Sequence, residues 1–180
     1  TPQSPGRKFW HREENGKGHQ DDQTAMTPLI WERKYEIDSL CYPIQLAYLY
    51  WQATGRTDCF DASYSSGVDS ILNLWKIEQN HSTDSEYTFQ RFDCVPSDTL
   101  PNEGKGTPVG YTGMTWSGFR PSDDACQYGY LVPSNMFAVV VLGYVEEIAL
   151  KVTNNQEQAA KARELREQIK EGIEKYAKVE

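Results

Sequence analysis

Apolar positions along this chain fall into two alternating patterns. In "DSLCYPIQLAYLYWQATG", residues 38–55, they leave almost no polar face, whereas "DASYSSGVDSILNLWKIEQN", residues 61–80, sets Val68, Ile71, Leu72 and Trp75 at three-and-four spacing opposite Asp69, Asn73 and Lys76. The alternation then repeats. A helix over 134–151 is apolar on nearly every side through "MFAVVVLGYVEEIAL", and one over 155–178 carries Ala162, Leu165, Ile169, Ile173 and Tyr176 on a single stripe among Glu, Lys and Arg. Boundary signals agree with four helices: Asp38 or Ser39 as first cap, Pro43 in the opening turns, Gly55 as stop, and Ser134 or Asn135 as the third cap.

The order buried, amphipathic, buried, amphipathic, with short links inside each pair, is what concentric rings of inner and outer helices require. The expected class is therefore all-α, part of an α/α barrel, with a plain four-helix bundle as the simpler alternative. Residues 81–121 read as a long irregular stretch in which "EYTFQRF" is a candidate short strand, and loops of that length inside a domain are usually functional. Inner helices of a ring run parallel, so the segments preceding them share one end. Those segments are "WERKYEIDS" and "WSGFRPSDDACQYGYLVPS".

Charge narrows the partners. With 26 acidic and 18 basic residues the formal charge is −8, which lacks the basic footprint that nucleic acid or an anionic membrane surface needs. No apolar run approaches the ~18 residues of a membrane span, and the N-terminus carries no targeting pattern. Neither a nucleic-acid nor a membrane partner is expected, and the expected compartment is the cytoplasm. Aromatic residues make up 12% of the chain; planar rings with a polar edge suit stacking on sugars or nucleobases, while core packing accounts for most of them. Cys41, Cys59, Cys94 and Cys126 are widely spaced with no CxxC pair or histidine at ligand spacing, so a zinc site is not expected and reduced thiols are. Residues 1–27 are polar and aperiodic and read as an arm with little structure, ahead of one domain over 28–180.

The candidate chemistry sits in the two segments. Asp123 and Asp124 are adjacent beside Arg120; like charges that close resist ionising together, which yields an acid that keeps its proton near neutrality. Equally, Ser122, Asp123 and Asp124 can serve as caps at a positive helix end. Glu36 and Asp38 can face one way and bind hydroxyls, or be neutralised as surface pairs by Arg33 and Lys34. "GKGTPVG" at 104–110 matches neither the dinucleotide fingerprint nor a phosphate-binding loop. His11, His19 and His81 lie outside both segments, which leaves acid–base work to carboxylates.

The blocks "TAMTPLIWERKYEIDSLCYPIQLAYLYWQATG" and "GMTWSGFRPSDDACQYGYLVPSNMFAVVVLGYV" closely resemble glycoside hydrolase family 125, the metal-independent exo-α-1,6-mannosidases. The resemblance implies an (α/α)6 barrel, of which two helix pairs are visible here, and an expectation that the C-terminal half is absent. It also implies release of terminal α-1,6-linked mannose from N-glycan-type oligosaccharides, without cofactor or metal. The mechanism it implies is inverting, with one carboxylic acid protonating the leaving oxygen and a second carboxylate activating water. The "RPSDDA" motif assigns the acid to Asp124, with Asp123 as second choice; Glu36, Asp38, Trp116 and Arg120 are assigned to the substrate wall. The base is a glutamate outside these residues, so the 180 residues alone are expected to be inactive. Two other readings remain: a non-catalytic sugar-binding or helical interaction module lacking the base, and a helical-barrel hydrolase of another substrate, such as a glucosidase or trehalase.

Overall fold

The structure, a computed structural model, describes residues 19–178. Its helices are α1 (Ile37–Thr54), α2 (Ala62–Glu78), a single turn α3 (His81–Asp84), α4 (Val132–Lys151) and α5 (Gln156–Tyr176). All four long helices expected from the pattern are present, and α3 is an addition. Gly55 stops α1 at φ 70°, a left-handed value that glycine reaches without a Cβ clash. Asp61 caps α2 through Tyr64 N–H at 2.8 Å, and Asn155 caps α5 through Gln158 N–H at 3.0 Å.

Two caps fall elsewhere than the sequence suggests. Glu36, not Asp38 or Ser39, occupies the N-cap of α1 and makes no capping bond. Helix α4 starts two residues early with Pro133 in its first turn, and Ser134 and Asn135 are buried inside it. The Asn135 amide is used across the fold instead: Oδ1 accepts Thr115 N–H at 2.9 Å and Nδ2 donates to Thr115 O at 3.0 Å.

Helix α4 packs most extensively on α5 and next on α1, while α2 lies against α5. Inner helices α1 and α4 are thus neighbours, as are outer helices α2 and α5, the relation a ring of helix pairs demands. The fold is all-α, a part of an α/α barrel. On α4, Ala138, Val141, Leu142 and Val145 are buried, while α5 buries one stripe that includes Ala159, Ala162, Leu165 and Ile169; Tyr176, expected on that stripe, is exposed. By length and composition α4 is apolar enough to cross a membrane, despite Glu146 and Glu147, which differs from the expectation of no such stretch. Much of that apolarity is used against α1 and α5, but α4 is not buried on every side: Met136 and Val140, with Tyr42, Leu46 and Leu49 of α1, remain open.

Between α3 and α4 the chain is irregular yet supplies core, through Tyr87, Phe89, Leu100, Met114, Trp116 and Phe119. The candidate strand within 86–92 is reduced to an isolated bridge, Gln23 with Gln90; the other bridge among the described residues joins Phe119 and Ala125. Residues 19–27, the described part of the polar arm, are therefore held rather than loose: Asp22 is buried and its carboxylate accepts both Nε and Nη2 of Arg91 at 2.7 Å. The loop entering α4 also rests directly on α5. A Cβ on Gly113 would stand 2.5 Å from Gln168 O, so only glycine permits that approach.

Candidate active site

Two short segments meet above the starts of α1 and α4. Phe119 N–H donates to Tyr35 O at 3.0 Å, Ile37 N–H to Ser117 Oγ at 3.4 Å, and Lys34 Nζ to Asp123 O at 2.9 Å. The two motif loops thus share one rim, as parallel inner helices require. At the tip, residues 120–124 form a closed turn: Asp123 N–H donates to Arg120 O at 2.8 Å and Arg120 N–H to Asp124 O at 3.0 Å.

That turn separates the adjacent aspartates chemically. Asp124 accepts Ser122 Oγ–H at 2.7 Å and Arg120 Nη2 at 2.8 Å, and these two partners hold its carboxyl below the usual carboxylate range. Asp123 sits at the turn's tip with φ 70°, in the left-handed region, its side chain 60% exposed and its Oδ2 3.5 Å from Lys34 Nζ. Neither aspartate caps a helix.

Glu36 is half-buried and accepts Ser39 Oγ–H at 2.7 Å. Burial raises its carboxyl above the ordinary value, and the nearby charges of Asp38 and Asp123 push the same way. Asp38 is only 6% exposed, its Oδ1 has no hydrogen-bond partner, and burial raises it too. A cavity of about 220 Å³ lies beside this segment, lined by Arg33, Lys34, Tyr35, Glu36, Ser39 and Tyr87 among others. Cys126, beneath the turn, is buried and its thiol is pushed up to about 11, chiefly by burial, so it is a poor nucleophile.

Glu36 and Asp38 do not form surface pairs with Arg33 and Lys34. Arg33 donates to Thr24 Oγ1 at 2.9 Å and lies over the Tyr87 ring, and Lys34 is 1% exposed and turned towards Asp98 and Asp123. Arg120 stays at the rim, tied to Asp124. Trp116 does not line a wall: it is 1% exposed, stacked flat on His81 at 3.5 Å between ring centroids and flanked by Tyr35 and Tyr87. His81, remote from the motif loops in sequence, is therefore directly behind one of them. Its Nδ1 faces Glu78 Oε2 at 2.6 Å and its Nε2 faces Lys105 O at 2.8 Å, which fixes the ring as a platform in the core.

Sequence reasoning missed Lys34 and Arg91. Most of their partners lie tens of residues away, so neither periodicity nor local spacing marks them. His19, Asp22 and Glu32 converge closely enough to suggest cation ligation, and the Arg91 guanidinium fills that role, with Nη2 at 3.0, 2.7 and 2.7 Å from the three.

Residues 3–180 match the family model of the metal-independent α-mannosidases. The chain belongs to glycoside hydrolase family 125. It is 54% identical to a metal-independent α-mannosidase of Streptococcus pneumoniae whose structure holds α-1,6-mannobiose in a non-productive complex; the likeness has a TM-score of 0.89 and covers 92% of this chain and 39% of that one. It is also 28% identical to the meiotically up-regulated gene 157 protein of Schizosaccharomyces pombe, over 99% of this chain and 36% of that protein. The chain thus spans well under half the length of either relative.

A carboxylate whose proton affinity is raised by the fold is a charge held at a cost. In the folded protein Glu36 binds its proton more tightly than the ordinary value of 4.5, so stability contributed by this group is present at low pH and lost as pH rises through the folded value. Glu36→Gln is expected to raise the denaturant midpoint at pH 7, with the gain shrinking below about pH 4. Urea titrations at the two pH values check this.

Proposed function

We propose that the protein is an exo-acting glycoside hydrolase that releases terminal, non-reducing α-1,6-linked mannose with inversion. Membership of the α-mannosidase family supports the reaction class, and α-1,6-mannobiose on the pneumococcal relative supports the linkage. The observation that carries the reading is the turn of residues 120–124, which presents one aspartate exposed at the rim beside the Glu36 segment and ties down the other.

That division reverses the order the motif alone suggests. A general acid has to hold a proton and release it to the leaving oxygen. Asp124 is engaged by both Ser122 and Arg120, so it acts as a brace for the turn. Asp123 is the acid. Its carboxyl proton passes to the glycosidic oxygen as the bond from that oxygen to the anomeric carbon breaks, and water attacks the opposite face of the sugar. The base that takes the water's proton is, as the resemblance implies, a glutamate outside these residues, at the ~6.5–9.5 Å separation that leaves room for the water. Glu36 and the unpartnered Asp38 Oδ1 are suited to accept sugar hydroxyls.

Inversion fixes the first product. The full-length protein is expected to release β-mannose from α-1,6-mannobiose, observed by proton NMR in the first minutes before mutarotation. Initial α-mannose would mean retention and would sink the two-carboxylate inverting assignment.

A further inference from the structure

Lys34 is 1% exposed, yet its ammonium is not matched by one partner. It bonds Asp98 Oδ1, donates to Asp123 O at 2.9 Å, stands 3.5 Å from Asp123 Oδ2 and 3.8 Å from Glu32 Oε1, and lies over the Phe119 ring at 5.1 Å. Asp98 is fixed in turn: its Oδ2 accepts Arg91 Nη1 at 2.9 Å, and Arg91 is clamped by Asp22 and Glu32. A rigid ion chain therefore runs from Asp22 through Arg91 and Asp98 to Lys34, and ends on both the backbone and the carboxylate of Asp123. The adjacent Asp124 is held from the other side, by Arg120 and Ser122.

We propose that Lys34 is a positioning residue for general-acid catalysis, holding Asp123 in its left-handed turn and stabilising the carboxylate that appears there as the proton leaves. This rests on the reading of Asp123 as the acid. An ammonium buried to 99% needs no reorganisation when charge develops beside it, which is the condition under which a fixed charge acts on a transition state. The same ammonium is paired with Asp98 and Glu32, so Lys34 is not committed to Asp123 alone. Neither role touches the sugar, and the effect should therefore fall on kcat and not on KM.

The test uses the full-length protein with Lys34→Met, which keeps the length and suits the burial, assayed on α-1,6-mannobiose and on an aryl α-mannoside with a good leaving group. Expected is a fall in kcat on mannobiose of roughly 10- to 100-fold with KM within about two-fold, and a much smaller fall on the aryl substrate, whose departure needs little proton transfer. Equal losses on both substrates, which is what a misfolded or merely loosened enzyme gives, overturn the inference. So does unchanged kcat on mannobiose. Asp123→Asn run alongside separates the two ideas: if that variant keeps its activity on mannobiose, the reading of Asp123 as the acid has failed; if it loses activity while Lys34→Met does not, only the role of Lys34 has.

Discussion

Asp123→Asn in the full-length protein is expected to lower kcat on α-1,6-mannobiose by roughly 10²- to 10⁴-fold, the range that positioned proton transfer supplies. Asparagine preserves the shape and the left-handed backbone, which it tolerates better than most residues, but has no acidic proton to give. Binding of the disaccharide should survive, measured by calorimetry on the inactive variant. The loss should shrink on an aryl mannoside with a good leaving group. Asp124→Asn is the decisive comparison. It leaves Asp123 intact and removes the charge that pairs with Arg120, so it should loosen the turn and cost far less than Asp123→Asn. Should Asp124→Asn abolish turnover on mannobiose while Asp123→Asn leaves it, the assignment returns to the order that the motif alone suggests.

The helices were legible because each rests on a local rule. Val68, Leu72 and Trp75 recur at helical spacing and are buried, and Gly55 supplies a left-handed stop. The meeting of the two motif loops was legible too, since it follows from inner helices that run parallel. Caps whose side chains have a stronger long-range use were not legible. Asn135 looks like a cap from its neighbours, but its amide pairs with both backbone groups of Thr115, a partner set by how the loop folds back on α4. Lys34 looks like a surface lysine because its ligands are 64 and 89 residues away in the chain. His81 reads as remote for the same reason.

Chemistry within the motif was half legible. Adjacency alone says that Asp123 and Asp124 compete as like charges, and not which of them the fold ties down. That choice is set by which side chain the turn delivers to Arg120 and Ser122. Once φ 70° at Asp123 reverses the chain direction, the two carboxylates leave the turn separately, one to Arg120 and the other towards Lys34.

Trp116→Ala is expected to destabilise the full-length protein by about 3–5 kcal/mol, the usual cost of emptying a core tryptophan site. From sequence, an indole in the motif reads as a sugar platform, and that role predicts the opposite outcome: weaker binding with little change in stability. Burial decides between them. At 1% exposure, with His81 stacked on one face and Tyr35 and Tyr87 packed around it, the ring has no surface left for a ligand. The site cannot collapse easily, because the His81 ring is pinned at both nitrogens by Glu78 and the Lys105 carbonyl, and Gly129 lies so close to the indole that a Cβ there would overlap it. A gap would open beside a buried polar pair, adding water exposure to lost packing. Trp116→Phe keeps a stacked ring and should lose only part of that amount. Denaturant midpoints of the two variants, read together with their mannobiose affinities, test this: a full-strength loss of affinity in a variant of unchanged midpoint would return Trp116 to the pocket wall.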